Sequence, residues 1–130
     1  MILASSALVA LWRNTSDASR LHTAIMRSPL RAVSAATVLE AAMILLGERQ
    51  GGSDLELDAL LRELEVTVVP FTEAHAHRAR EAARTYGRGR HRAGLTYGEC
   101  VAYALAAETG EMLLFVGDGL AQTDVERAPY

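Results

Sequence analysis

The sequence predicts a single α/β domain built on a mainly parallel central sheet flanked by helices on both sides. Three observations carry that prediction. Short apolar runs alternate with longer segments of helical period. Most of the strand-like runs are apolar on both faces, as strands buried between two layers must be. And 130 residues, half of them apolar, supply one core rather than two.

The elements follow in order. Ile2-Leu3 reads as a brief buried strand, and Ser5-Ser6 opens a helix through Leu8, Val9, Leu11 and Trp12. Asn14-Thr15-Ser16 breaks the pattern. Ser16 caps a second helix with Leu21, Ala24 and Ile25 on one face, ended by Pro29. Arg31 to Ser34 is a weak strand, and Ser34 or Ala35 opens a Leu- and Ala-rich helix reaching about Gly47. Gln50-Gly51-Gly52 is a loop. Ser53-Asp54-Leu55-Glu56 has capping-box spacing before the next helix. Val66-Thr67-Val68-Val69 is the clearest strand, dense in β-branched residues and closed by Pro70. Thr72 caps a helix reaching Tyr86. A basic, glycine-punctuated loop follows, from Gly87 to Gly94, and Thr96 caps an Ala-rich helix ending near Gly110. Met112 to Val116 is an apolar strand, Gly117-Asp118-Gly119 the turn after it, and Val125 marks a short final strand.

Composition removes several functional classes. Lone Cys100 excludes an internal disulfide framework and a cysteine-rich zinc site. No basic region precedes the apolar start, so it does not read as a signal peptide, and no run approaches the ~18 apolar residues of a membrane span. A cytoplasmic protein is expected. The net charge of −3 argues against non-specific binding through overall charge; nucleic-acid contact would need a local basic patch.

Ligands of open parallel sheets bind at the carboxyl ends of the strands. Four positions stand there or at the adjoining helix starts: Ala4, Glu40, Glu99 and Asp118. Three are carboxylates, the oxygen donors that hard Mg²⁺ or Mn²⁺ ions favour and that phosphodiester hydrolysis commonly uses. Each also has a plain structural explanation. Glu99 lies three residues after Thr96 and fits a capping box. Asp118 in Gly-Asp-Gly is ordinary turn chemistry. Glu40 is less easily explained, because a carboxylate within Val38-Leu39-Glu40-Ala41-Ala42-Met43 costs free energy unless paired or coordinated.

Four segments together resemble the PIN-domain proteins, specifically the VapC-type toxins. Met1 to Ala10 is similar to their opening M-I-x-D-[TS]-S-A-[LIV]-[VL]-A. Ser34-Ala35-Ala36-Thr37-Val38-Leu39-Glu40 looks like S-A-A-T-x-x-E. Tyr86 to Cys100 looks like Y-G-[KR]-G-x-H-x-A-x-L-N-[FY]-G-D-C, and Leu113 to Asp124 like L-L-F-x-G-x-D-F-x-x-T-D. The matches run in order across nearly the whole chain, and together they are specific where each alone is weak.

The resemblance implies one PIN-like domain over residues 1–130. It implies an endoribonuclease that uses Mg²⁺ or Mn²⁺, a cognate VapB-like antitoxin and a homodimer. Glu40 matches the family's glutamate directly. Glu99 replaces an aspartate, keeping the charge one methylene further out. Ala4 stands where the family has its first metal-binding aspartate, and a methyl group cannot coordinate a hard cation, so cleavage is expected to be impaired. Gly119 falls where many relatives have an acid; Asp118 and Asp124 are both candidates to replace it. The expected catalytic and metal residues are therefore Glu40, Glu99 and Asp118, supported by Ser6 and Asp124. The alternative is a catalytically inactive PIN domain that binds RNA or an antitoxin.

Arg88, Arg90, His91 and Arg92 are the expected RNA contacts, weighed evenly against a solvated loop. His75 and His77, two apart on a helix, do not share a face as a metal pair would. Cys100 and Trp12 read as core, and Tyr97 as packing rather than base stacking. A two-component-type receiver, which carries a lysine late in the chain, is disfavoured because the sequence has no lysine.

Overall fold

A computed structural model describes residues 1–48 and 54–130. The elements run β1 (Ile2–Leu3), α1 (Ser5–Trp12), α2 (Ala18–Arg27), β2 (Ala32–Ser34), α3 (Ala35–Leu46), α4 (Asp54–Glu63), β3 (Thr67–Val69), α5 (Glu73–Tyr86), α6 (Tyr97–Thr109), β4 (Leu113–Leu114) and a 3₁₀ turn (Leu120–Gln122). The Gln50–Gly52 loop and Ser53 of the expected capping box lie outside the described residues.

The four strands form one sheet in the order β3-β2-β1-β4, and every pairing is parallel. Successive strand residues point to opposite faces, and the core divides accordingly. Leu3, Val33 and Leu114 join a cluster with Leu8, Ile25, Leu45 and Leu61 from α1 to α4. Ile2, Ala32, Leu113 and Phe115 join a second cluster with Ala82 of α5 and Cys100 and Leu105 of α6. Helices thus cover both faces. Each fully buried Leu or Ile contributes about 1.5–3 kcal/mol, and Ile2, Leu3, Leu8, Ile25, Leu105 and Leu114 are among the large side chains below 2 % exposed. That is ample to hold a sheet whose strands are only two or three residues long.

Local chemistry explains most boundaries. The Ser34 hydroxyl accepts from the Ala36 amide and caps α3. Thr72 caps α5, with His75 rather than a carboxylate returning the second bond of the box. Gly110, at a left-handed φ of 70°, ends α6. Two expectations are corrected. The second helix starts from Asp17 instead of Ser16, with no side-chain cap. The segment near Val125 makes a single parallel bridge, Leu113 to Arg127, rather than a strand. Pro129 follows two residues later and has no amide with which to extend that pairing.

Candidate active site

Ala4 and Val116 stand just past the carboxyl ends of β1 and β4, Ser34 is the last residue of β2, and α6 packs against these strands. Two carboxylates converge on the first turn of α6. Glu99 is on that helix: its Oε2 accepts from the Thr96 amide at 2.9 Å, and its own amide donates to Thr96 Oγ1 at 3.3 Å. The capping expectation holds. The other oxygen is turned elsewhere: Oε1 lies 3.0 Å from where a Cβ on residue 119 would stand. Ala93 O is also 3.0 Å from that point.

Glu40 arrives from α3. Its carboxylate fills the space that a side chain on Gly98 would occupy: an added Cβ would stand 2.0 Å from each carboxylate oxygen and 2.1 Å from Cδ. The amide dipoles at a helix start favour an anion there. Even so, Glu40 Oε2 is buried with no hydrogen-bond partner, and so is Thr37 Oγ1, three residues earlier on the same helix face. A buried polar atom left unpaired costs about 1–3 kcal/mol, so a pair of them marks a place where bonding is incomplete.

The other two corners are different. Ala4 is buried, its amide bonded to Leu114 O at 2.9 Å and its methyl packed with the α6-side core. The adjacent Ser6 hydroxyl accepts from the Val116 amide at 3.1 Å, which ties α1 to the end of β4. Asp118 is exposed in its turn. Asp124 is engaged elsewhere, accepting from the Tyr103 hydroxyl at 2.7 Å. That bond, with help from Tyr86, holds the Asp124 carboxyl below the usual carboxylate range. Burial, and then the hydrogen bond and negative charge of Asp124, push the Tyr103 hydroxyl up. Cys100 is buried as expected, and burial followed by the charge of Glu99 raises its thiol.

These residues do not fit a divalent cation. A hard cation needs several convergent oxygens, whereas Ala4 offers a methyl, Glu99 has one oxygen on the Thr96 amide, and Asp118 faces solvent. Among the described residues no group of three or more His, Cys, Asp or Glu could hold a metal ion. A side chain at position 119 would come up against Glu99, and that position is glycine.

Two surfaces border the site. The basic loop is folded, not solvated throughout: Leu95 N donates to Tyr86 O, and Arg90 N and His91 N both donate to Gly87 O. His91 is used internally, its Nδ1 accepting from the Ala93 amide at 3.1 Å and its ring meeting the edge of Tyr86. Arg88, Arg90 and Arg92 are exposed and have no ion pair among the described residues. Because Ala93 O approaches position 119, this loop abuts the carboxylate site. On the other side, a groove of about 490 Å³ is lined by Leu39, Glu40, Met43, Ile44 and Tyr97. Leu39, Met43 and Tyr97 are each more than half exposed. A second groove of about 580 Å³ includes Ser5, Ser6, Thr96 and Glu99. Tyr97, expected to pack, is among the most exposed large side chains. Trp12 is only partly buried, its indole N–H donating to Glu56.

Neither Gly98 nor Thr37 stands out as a site residue in the sequence. The signal available is that both stand at fixed positions of the patterns the sequence resembles, Thr37 in S-A-A-T-x-x-E and Gly98 in N-[FY]-G-D-C.

The chain is similar to known proteins over nearly its whole length. The PIN domain family matches residues 1–126. A ribonuclease VapC of Mycolicibacterium smegmatis is 42% identical over 125 residues, covering 96% of this chain and 97% of that protein. Ribonuclease VapC30 of Mycobacterium tuberculosis is 40% identical, covering 96% and 95%. Among solved structures, the M. tuberculosis toxin VapC20, described as cleaving the sarcin-ricin loop, aligns with a TM-score of 0.79 at 14% identity, covering 99% of this chain and 98% of its own. A toxin–antitoxin complex from Klebsiella pneumoniae aligns with a TM-score of 0.74 at 16% identity, covering 99% and 97%.

Proposed function

The chain belongs to the PIN-domain family, in its VapC ribonuclease branch, and from that premise we propose that it is the toxin of a VapBC-type toxin–antitoxin pair. Its reaction is Mg²⁺- or Mn²⁺-dependent endoribonucleolytic cleavage of RNA in the cytoplasm, and Ala4 impairs that reaction in this chain. One observation carries the reading. One oxygen of Glu40, Oε2, is kept buried and unpaired beside the start of α6, at a cost to folding, while the end of β1 that should complete the site bears a methyl.

The neighbouring surfaces support the same partners. Arg88, Arg90 and Arg92, displayed by a folded loop beside the carboxylates, suit phosphate contacts with RNA. His91 shapes that loop. The exposed apolar groove beside Glu40 suits an antitoxin segment, in line with the toxin–antitoxin complex among the structural relatives. A homodimer is part of this proposal. The second reading, an inactive PIN domain that binds RNA or an antitoxin, draws on the metal misfit and the intact groove.

The test is RNA cleavage with Mg²⁺ and with Mn²⁺ by this chain and by its Ala4→Asp variant. The controls are EDTA and Glu40→Gln in the restored chain. Cleavage by Ala4→Asp alone, lost with EDTA or Glu40→Gln, is the expected result. No cleavage by either chain, with antitoxin binding intact, would favour the binding module.

A further inference from the structure

The geometry points to Gly98 as the positioning residue for Glu40: its missing side chain is the space in which the Glu40 carboxylate lies. The backbone at Gly98 gives no reason for glycine, since Gly98 is a helical residue in the first turn of α6 and outside the positive-φ glycines. Glycine weakens a helix relative to alanine, so another cause must keep it there. The three heavy atoms nearest to an added Cβ all belong to Glu40, at 2.0, 2.0 and 2.1 Å. Such separations are far inside van der Waals contact, so a methyl at 98 and the carboxylate exclude each other.

The obstacle is the end of a flexible side chain rather than backbone. Gly98→Ala therefore leaves the helix in place and turns the Glu40 carboxylate out. Thr96 and Glu99 still cap the helix through their own bonds. Gly98 thus acts only through Glu40. It sets where that charge stands relative to Ala4 and Glu99, at the start of the helix. An aspartate side chain is one methylene shorter, so Glu40→Asp withdraws the carboxylate and makes room for a methyl at 98.

Crystal structures of the Gly98→Ala and Gly98→Ala/Glu40→Asp chains, in the otherwise unaltered protein, decide this directly. In the first, the expected result is a Glu40 carboxylate swung out of its place over α6. In the second, it is a shorter acid drawn back from residue 98 above an undisturbed helix. Gly98→Ala should melt at the parent temperature or above it. A carboxylate still seated over residue 98, a displaced α6, or a Gly98→Ala chain that fails to fold would overturn the proposal. A second arm rests on the function proposed above. In the Ala4→Asp background, Gly98→Ala should lower kcat about 100-fold, the scale of a 1 Å misplacement, with KM little changed. Glu40→Asp alone should cost a similar factor, and adding Gly98→Ala to it should cost little more, because the withdrawn acid no longer meets the methyl; a further loss of about 100-fold on that addition would overturn the positioning role. If Ala4→Asp cleaves no RNA, the functional reading fails while the crystal structures still decide Gly98.

Discussion

The two sides of the carboxylate site have been treated differently. On the α6 side, everything that holds a charge in place is present: Thr96 and Glu99 bond each other's amides, and Gly98 leaves room for Glu40. On the strand side, both positions that should answer those carboxylates carry no acid. Ala4 ends β1 in a methyl buried with the core, and Gly119 presents no side chain towards Glu99. The contrast shows which residues are tied to folding. Glu99 caps a helix that contributes Val101, Ala104 and Leu105 to the interior, so its loss would weaken the fold. Ala4 makes its bonds through backbone atoms alone, so its side chain is free to change without cost to the sheet's hydrogen bonds.

The largest effect expected is on the strand side. Ala4→Asp should raise RNA cleavage about 10²–10³-fold, the scale of one pre-placed charged or polar group at a reacting centre, measured as initial rates in Mg²⁺ or Mn²⁺. An equally active parent chain would erase the contrast. Gly119→Asp in that background should add roughly 10-fold. The gain would show as tighter Mn²⁺ binding by calorimetry, with Glu99 and the Ala93 carbonyl each yielding a few tenths of an ångström. If Asp118→Asn abolishes activity instead, the exposed turn is what supplies the acid.

Substitution of the groove should leave both sides of the site intact. Leu39→Asp or Met43→Asp should weaken antitoxin binding by about 1–2 kcal/mol with little change in melting temperature, because both side chains are exposed in the free chain. Co-purification and calorimetry check it. The smallest effect tests how the strand-side turn is anchored. Asp124→Asn removes the acceptor for Tyr103 two residues after the 3₁₀ turn. It should lower the melting temperature at pH 7 by about 2 °C, a small figure because the carboxylate is exposed and screened. The Asp124 carboxyl is held below its ordinary value in the folded chain. Its contribution is therefore full above the unfolded value of about 3.9. It fades as pH falls through that value to the folded one, so parent and variant should converge in acid.

The sequence by itself determined the element order, the parallel sheet between helices and the family. The first two rest on local chemistry read along the chain: β-branched Val66 to Val69, the Ser34, Thr72 and Thr96 caps, and short apolar runs between helical segments; the family rests on the four motifs that the sequence resembles. Ala4 was legible too, because a methyl in place of a carboxylate changes the chemistry wherever it stands. What only the tertiary structure decided is which atoms share space across elements distant in sequence. Asp118 was the expected acid along the chain and Asp124 its support, yet one faces solvent and the other is bonded to Tyr103. His91 read as a phosphate contact, and the structure adds that its Nδ1 fastens its own loop. Gly98 and Glu40 lie on separate helices far apart in the sequence, and no local signal links them. Only the packing of α3 against the first turn of α6 shows that the glycine is the space for the acid. Periodicity and capping act within one helix or strand, whereas excluded volume acts between any atoms the fold brings together.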